Sequence, residues 1–248
     1  MAVEGLEKFR DCFEGYEDCY TIIGGTACDI LMSETEFDFR ATKDIDMIIL
    51  LEDRYQEFAQ IFWNFIAEGG YRCGWKQSSK SHFYRFTDPK SGYPVQIELF
   101  SRKPDYHLEI SNEIIPVYIS DDVSSLSAIM LDDDFYKFMM DGRKIMNGVS
   151  VLSAEYIIPF KMYAWLNLIE QKSSGIHVNS RDLRKHKYDV FRLLQIVSDE
   201  AKVEATGLVR KTIVQFLELI ENEILDFKAT GIEFDRTQGL SLLKEIYK

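Results

Sequence analysis

Asp44 and Asp46 stand two residues apart in the run Lys43-Asp-Ile-Asp-Met-Ile-Ile-Leu-Leu51, and this spacing constrains the chain more than any other. Side chains alternate across a strand, so the two carboxylates share one face while Ile45, Met47 and Ile49 share the other. A strand of that kind belongs to a sheet that is apolar on one side and polar on the other. Like charges on adjacent same-face positions repel, so a purely structural strand gains nothing by aligning them. A divalent cation reverses the sign of that interaction. Paired carboxylate oxygens suit Mg²⁺, which keeps its remaining coordination positions for water and substrate phosphates. A solvated strand edge carrying two ordinary surface acids is the alternative.

The residues upstream weigh against that alternative. Tyr20-Thr-Ile-Ile23 is a short β-prone run that ends at Gly24-Gly25, and Thr26–Met32 then has helical character. Glycines between a strand and a helix let an anion approach the backbone closely, and free N–H groups at a helix start bind phosphate. Thr26 adds a hydroxyl as a cap or a phosphate donor. The segment matches neither GxGxxG nor GxxxxGK[ST], so dinucleotide-fold and P-loop readings lack their fingerprints. A third acid follows in Val95-Gln-Ile-Glu-Leu-Phe100, where Val95, Ile97 and Leu99 form one face and Gln96 and Glu98 the other. On a strand next to Asp44 and Asp46, Glu98 completes a three-acid cluster.

Around these segments the first part of the chain alternates in type. Residues 3–13 suit a short amphipathic helix. Arg54–Ala67 places Phe58, Ile61, Phe62, Phe65 and Ile66 at helical spacing and stops at Gly69-Gly70. Tyr71–Trp75, His82–Phe86, Val95–Phe100 and Ile114–Ile119 read as strands, with the turn-rich Asp88–Pro94 joining the middle two. Asn147-Gly148 is a tight hairpin turn in which both central residues take positive φ. From Ser153 onward the pattern is helical, over Tyr156–Ile169, Arg181–Val197, Leu208–Phe227 and Leu240–Tyr247, with the first helix expected to start near Pro159. The expected fold is therefore mixed α/β (α+β), with a small mixed sheet flanked by helices over residues 1–150 and a helical bundle over residues 151–248.

Composition excludes several function classes. At 248 residues the length allows one large domain or two modest ones, and 46% hydrophobic residues supply a core. The 29 basic residues are outnumbered by 41 acidic ones, a net charge of −12, which argues against a general nucleic-acid coating protein. No apolar run approaches the ~20 residues of a membrane span, and Met1–Lys8 does not have the character of a signal peptide. Cys12, Cys19, Cys28 and Cys73 form no CxxC pair, and the four histidines are scattered, so neither a disulfide framework nor a zinc centre is expected. A cytoplasmic protein without membrane contact is the expectation. Asp132-Asp-Asp134 lacks EF-hand spacing and reads as a helix start, and Trp63, Trp75 and Trp165 read as core.

Together, Gly24-Gly25, Asp44, Asp46 and Glu98 resemble the nucleotidyltransferase superfamily of the DNA polymerase β type. Its pattern is a strand, a Gly-Gly or Gly-Ser helix start, Asp-x-Asp on the next strand, and a later strand acid. The narrower resemblance is to the AbiEii-like abortive-infection nucleotidyltransferase toxins, whose Arg-x-Thr-x-Asp-hydrophobic-Asp block is followed position for position by Arg40-Ala-Thr-Lys-Asp44-Ile-Asp46. That family also carries a Lys within an apolar helix, matched by Lys161 in Ile157-Ile-Pro-Phe-Lys-Met-Tyr-Ala-Trp-Leu166. A later Lys-Asp-x-x-Asp segment is matched by Lys185-His-Lys-Tyr-Asp189, with His186 where the first family acid is expected. Lys161 is a cation among apolar neighbours, which is costly unless it snorkels or meets an anion.

The resemblance implies Mg²⁺-dependent transfer of a nucleoside monophosphate from an NTP to an acceptor hydroxyl. It implies Asp44, Asp46 and Glu98 as the catalytic, metal-holding acids of a two-metal site. Gly24, Gly25, Thr26, Arg40, Lys161 and Asp189 are implied as nucleotide contacts. It further implies a toxin-like role on RNA such as tRNA, restrained by an antitoxin protein. A small-molecule acceptor, as in antibiotic-modifying enzymes, and a non-catalytic nucleotide sensor are the alternatives, and the net charge of −12 favours the small molecule over RNA.

Overall fold

Alternating apolar runs form the strands here, and the glycine and turn positions between them set where those strands reverse. The computed structural model describes residues 3–33, 35–37, 39, 42–50, 54–77, 82–101, 117–118 and 132–248. They fall into two compact units. The first holds the described residues up to Tyr118 with Arg143–Leu152, and the second holds residues 132–142 with Ser153–Lys248. The chain thus gives one helix to the second unit before returning to the first for a final hairpin.

The first unit is a mixed α/β fold. Its eight described strands are β1 (Tyr20–Ile23), β2 (Asp44–Ile49), β3 (Arg72–Gln77), β4 (His82–Thr87), β5 (Gln96–Ser101), β6 (Val117–Tyr118), β7 (Arg143–Met146) and β8 (Val149–Leu152). They form one sheet in the order β6-β3-β4-β5-β2-β1-β8-β7. β2 pairs with β1 antiparallel and with β5 parallel. The β7–β8 hairpin turns through Asn147 and Gly148 at φ 52° and 75°, the positive pair that its dipeptide calls for.

Three helices accompany this sheet: α1 (Leu6–Cys12), α2 (Gly24–Met32) and α3 (Tyr55–Gly69). Register places Ile45, Met47, Ile22, Ile97, Leu99 and Phe86 on one face. Aromatic rings from α1 and α3 cover it, with Phe9 against Tyr20 at 5.5 Å, Phe13 against Phe62 at 6.0 Å and Phe62 against Phe86 at 5.4 Å between centroids. Such pairs each add about 0.5–1.5 kcal/mol beyond their buried area. α3 ends where Gly70 turns left-handed at φ 67°, and its last carbonyls are closed by the N–H groups of Gly70 and Tyr71.

The second unit is helical: α4 (Asp133–Asp141), α5 (Ala154–Ser173), α6 (Ser180–Leu194), α7 (Gly207–Ile220) and α8 (Arg236–Ile246), with a 3₁₀ turn at Lys228–Thr230. The Asp132-Asp-Asp134 run is spent on caps. Asp132 accepts from the N–H groups of Asp134 and Phe135 at the start of α4, and Asp134 accepts from the N–H of Leu208 at 2.7 Å, at the start of α7. Trp63 and Trp165 are buried core residues, while the side chain of Trp75 and most of the expected strand Ile114–Ile119 lie outside the described residues. None of the four cysteines is in a disulfide. Among the described residues no helix is long and apolar enough to cross a membrane.

Pro159 corrects one expectation. It does not open α5; the helix starts at Ala154, with Ser153 at the N-cap, and Pro159 sits inside it. A proline at that position has no N–H for the carbonyl four residues back, which is Glu155. The hydroxyl of Tyr247, just past α8, donates to that carbonyl instead. Burial drives the Tyr247 phenol well above its ordinary range, with Glu155 adding to the effect, so it stays protonated and able to donate. The Tyr247→Phe variant is expected to lose about 1–3 kcal/mol of stability, the cost of orphaning a part-buried carbonyl, as a lower urea midpoint at unchanged slope. An unchanged midpoint would show that water replaces the hydroxyl.

Candidate active site

The three acids singled out in the sequence are carried by neighbouring strands of the first unit. Parallel pairing of β2 with β5 sets Asp44 beside Gln96 and Asp46 beside Glu98. Antiparallel pairing of β5 with β4 then sets Glu98 beside Arg85 and Gln96 beside Thr87. Paired residues point to the same side of a sheet, so two polar rows cross one face. One runs Asp46, Glu98, Arg85 and the other Asp44, Gln96, Thr87. Asp44, Asp46 and Arg85 are half-buried, and Glu98 is 7% exposed. The next row along the same face, Thr21, Ile48 and Phe100, is buried. The polar rows therefore lie at the open end of an otherwise covered face.

Hydrogen bonds order the rows. Glu98 Oε1 accepts from Arg85 Nε at 2.8 Å and from Gln96 Nε2 at 3.0 Å. The guanidinium offsets the repulsion that Glu98 would otherwise feel from Asp46 one strand away, about 4.8 Å in the pairing direction. Sequence reasoning placed Gln96 on this face but did not find Arg85. The signal was its alternation in β4, yet the Asp88–Val95 connection hides the register that sets it opposite Glu98.

The glycine bend meets this cluster at Asp46. β1 pairs Ile23 with Asp46, and Ile23 is the N-cap of α2. Gly24 follows at φ 71°, a conformation that L side chains rarely adopt, and a Cβ there would overlap Asp46 Oδ2. No side chain caps this helix end, so backbone N–H groups of its first turn are left for another acceptor. Gly25 is buried in that turn.

Thr26 departs from expectation. It is neither the cap nor exposed: it is fully buried, and its hydroxyl donates to the backbone carbonyl of Asp44 at 2.6 Å. That bond fixes the start of α2 to the start of β2, so Thr26 acts on the acids by position. Arg40 lies outside the described residues.

The donor set suits a hard divalent cation. Asp44 and Asp46 are adjacent same-face oxygen donors at the open end of that face. Among the described residues, no three His, Cys, Asp or Glu side chains stand together as a ready cage. Two carboxylates that leave the other positions to water and phosphate oxygens are the manner in which Mg²⁺ is commonly held. A cavity of about 550 Å³ in the same unit is lined by Leu6, Arg10, Asp29, Ile30, Phe37 and Val149 among others, and contains none of the three acids.

In the second unit, Lys161 and Asp189 form a pair of their own. Lys161 on α5 is 6% exposed and Asp189 on α6 is fully buried. The lysine ammonium lies 3.5 Å from Asp189 Oδ2, and Arg192 Nη1 lies 3.2 Å from Oδ1. Lys161 therefore meets an anion within the helical unit rather than snorkelling to solvent.

No protein-family model and no curated protein matches the chain by sequence. Its neighbours among solved structures include proteins described as nucleotidyltransferase-like. It is similar to an antigenic nucleotidyltransferase-like protein from Paracoccidioides brasiliensis, with 15% identity, TM-score 0.49, and cover of 100% of this chain and 97% of that one. It is similar to JHP933 from Helicobacter pylori, with 11% identity, TM-score 0.38, and cover of 96% and 87%. It is similar over a shorter span to a cytoplasmic RNA terminal U-transferase, with 15% identity, TM-score 0.27, and cover of 54% and 36%.

Three variants test these arrangements. Asp189→Ala leaves both Lys161 and Arg192 without their carboxylate, Lys161 buried, and is expected to cost about 3–5 kcal/mol by urea unfolding. The Lys161→Met, Asp189→Leu double variant is expected to recover part of that loss, with Arg192 left to turn to solvent. Gly24→Ala is expected to weaken divalent-cation binding, read by calorimetry with Mn²⁺, because the new methyl displaces Asp46. Equal Mn²⁺ affinity in Gly24→Ala and wild type would detach the bend from the acids.

Proposed function

We propose that the chain is a Mg²⁺-dependent nucleotidyltransferase that moves a nucleoside monophosphate from an NTP to an acceptor hydroxyl and releases pyrophosphate. The observation that carries this reading is the register that sets Asp46 beside Glu98 on the face shared with Asp44, at the glycine bend that opens α2. Asp44 and Asp46 would hold Mg²⁺. The bound cation would supply charge neutralisation for the attacking and leaving oxygens of an in-line displacement. The N–H groups of Gly24 and Gly25, at the positive end of α2, would hold phosphate oxygens of the NTP. Glu98, oriented by Arg85 and Gln96, would position the acceptor hydroxyl, accept its proton, and complete the metal set when Arg85 yields its place.

The finer assignment rests on Arg40-Ala-Thr-Lys-Asp44-Ile-Asp46. On that block we propose a toxin-like, AbiEii-like role on RNA such as tRNA, restrained by an antitoxin, in the cytoplasm, where reduced cysteines are the rule. The net charge of −12 supports a second reading, a small-molecule acceptor.

Incubation with α- or γ-labelled NTPs, Mg²⁺ and total RNA tests the reaction. Label from the α-phosphate is expected in the acceptor, and Asp46→Ala is expected to lose most of it. Transfer of the γ-label alone would make the chain a kinase. Tight NTP binding without transfer to RNA or to any hydroxylated small molecule would make it a sensor.

A further inference from the structure

The chain is acidic overall, yet one short surface segment reverses the sign. Residues 171–187 hold five of the 29 basic residues and one of the 41 acidic ones. The segment runs from the end of α5 through an exposed connection into α6, and Lys172, His177, Arg181 and Arg184 are exposed along it. Arg181, Arg184 and Lys185 stand at i, i+3 and i+4 of α6, which is one face of a helix. Its other face, with Tyr188, Val190, Phe191 and Leu194, is buried. Among the described residues, Lys172, Arg181 and Arg184 make no ion pair with a carboxylate, whereas Lys187 is bound to Glu223 at 2.7 Å.

We infer that the exposed basic face of the α5–α6 connection is a binding surface for the phosphate backbone of single-stranded RNA. Guanidinium groups match phosphate oxygens in bidentate geometry. Arg181 follows directly on the start of α6 at Ser180, a helix end whose dipole favours anions. Ser174 and Ser180 add neutral hydrogen-bonding groups beside the cations, while Asn179 caps α6 by accepting from the Arg181 N–H and Ser173 donates to the Glu170 carbonyl. A membrane surface fits less well. The apolar side of α6 is spent in the core, and Ile176, 56% exposed, is the sole large exposed hydrophobic residue of the described connection. The segregation of charge is what permits an acidic protein to hold a polyanion: the surplus acid lies outside this segment. The inference rests on the nucleotidyl-transfer reading only for its consequence, an RNA acceptor in place of a small molecule.

Fluorescence anisotropy with a labelled 20-nucleotide RNA of mixed sequence, titrated against the full chain over a range of KCl, tests the surface. Three cations without a carboxylate partner predict a log–log salt slope of about −2, and Arg181→Glu with Arg184→Glu is expected to weaken binding about tenfold or more while flattening that slope by about 1.4. The Lys228→Glu, Lys248→Glu variant, with the same change in net charge, is expected to bind like wild type. Equal weakening in both double variants would overturn the inference, as would wild-type binding to vesicles of anionic phospholipid but not to RNA. Asp46→Ala is expected to bind RNA normally, so loss of transfer and loss of binding report on different readings. Transfer to a small molecule by a protein that ignores RNA would sink the surface and leave the enzyme standing.

Discussion

Parallel pairing of β2 with β5 is the constraint on which the rest depends. Side chains alternate along both strands, so slipping one past the other by a single residue would carry Glu98 to the aromatic side of the sheet and Ile97 to the polar side. The aromatic layer prevents that slip. Ile97 and Leu99 are fully buried on the face that α1 and α3 cover, and neither Gln96 nor Glu98 has a place there. Placement of the acids is thus secured from behind, by hydrophobic packing against the opposite face.

That placement has a cost, and the row across the sheet shows how it is met. Asp46 and Glu98 are like charges on adjacent strands. Arg85 stands on the far side of Glu98 and shares its Oε1 with Gln96. The polar face is therefore asymmetric: one acid is engaged by a cation of the protein, and the aspartate pair stands at the glycine bend. A partly buried ion pair of this kind is weak evidence for stability, and its role here is to orient Glu98. The Lys161–Asp189–Arg192 group in the second unit follows the same rule, one buried carboxylate between two cations.

Much of the fold was legible in the residues because short-range rules decide it. Strict alternation marked β2 and β5, Asn147-Gly148 marked the last hairpin, and the aromatic spacing of Phe58, Phe62 and Phe65 marked α3. The acids and the glycine bend were legible for the same reason, since face and turn are local properties. What escaped notice depends on distant parts of the chain. Arg85 meets Glu98 only through a hairpin register that a long connection obscures. Thr26 has the composition of a cap, but its hydroxyl found a carbonyl on β2. Pro159 looked like a helix start because a proline inside a helix is usually excluded, and the group that makes it tolerable is far away in sequence.

The Tyr247–Glu155 contact also bears on how the helical unit is made. Its two residues are 92 positions apart, and at the usual synthesis rate of ~5–20 residues per second that interval lasts about 5–20 s. Throughout it α5 has a gap in its hydrogen-bond ladder at Pro159, with no hydroxyl yet available to fill it. On the ribosome, then, α5 waits on the far end of the helical unit. The last described strand of the sheet closes at Leu152, before α5 begins, so the sheet-bearing unit can mature first.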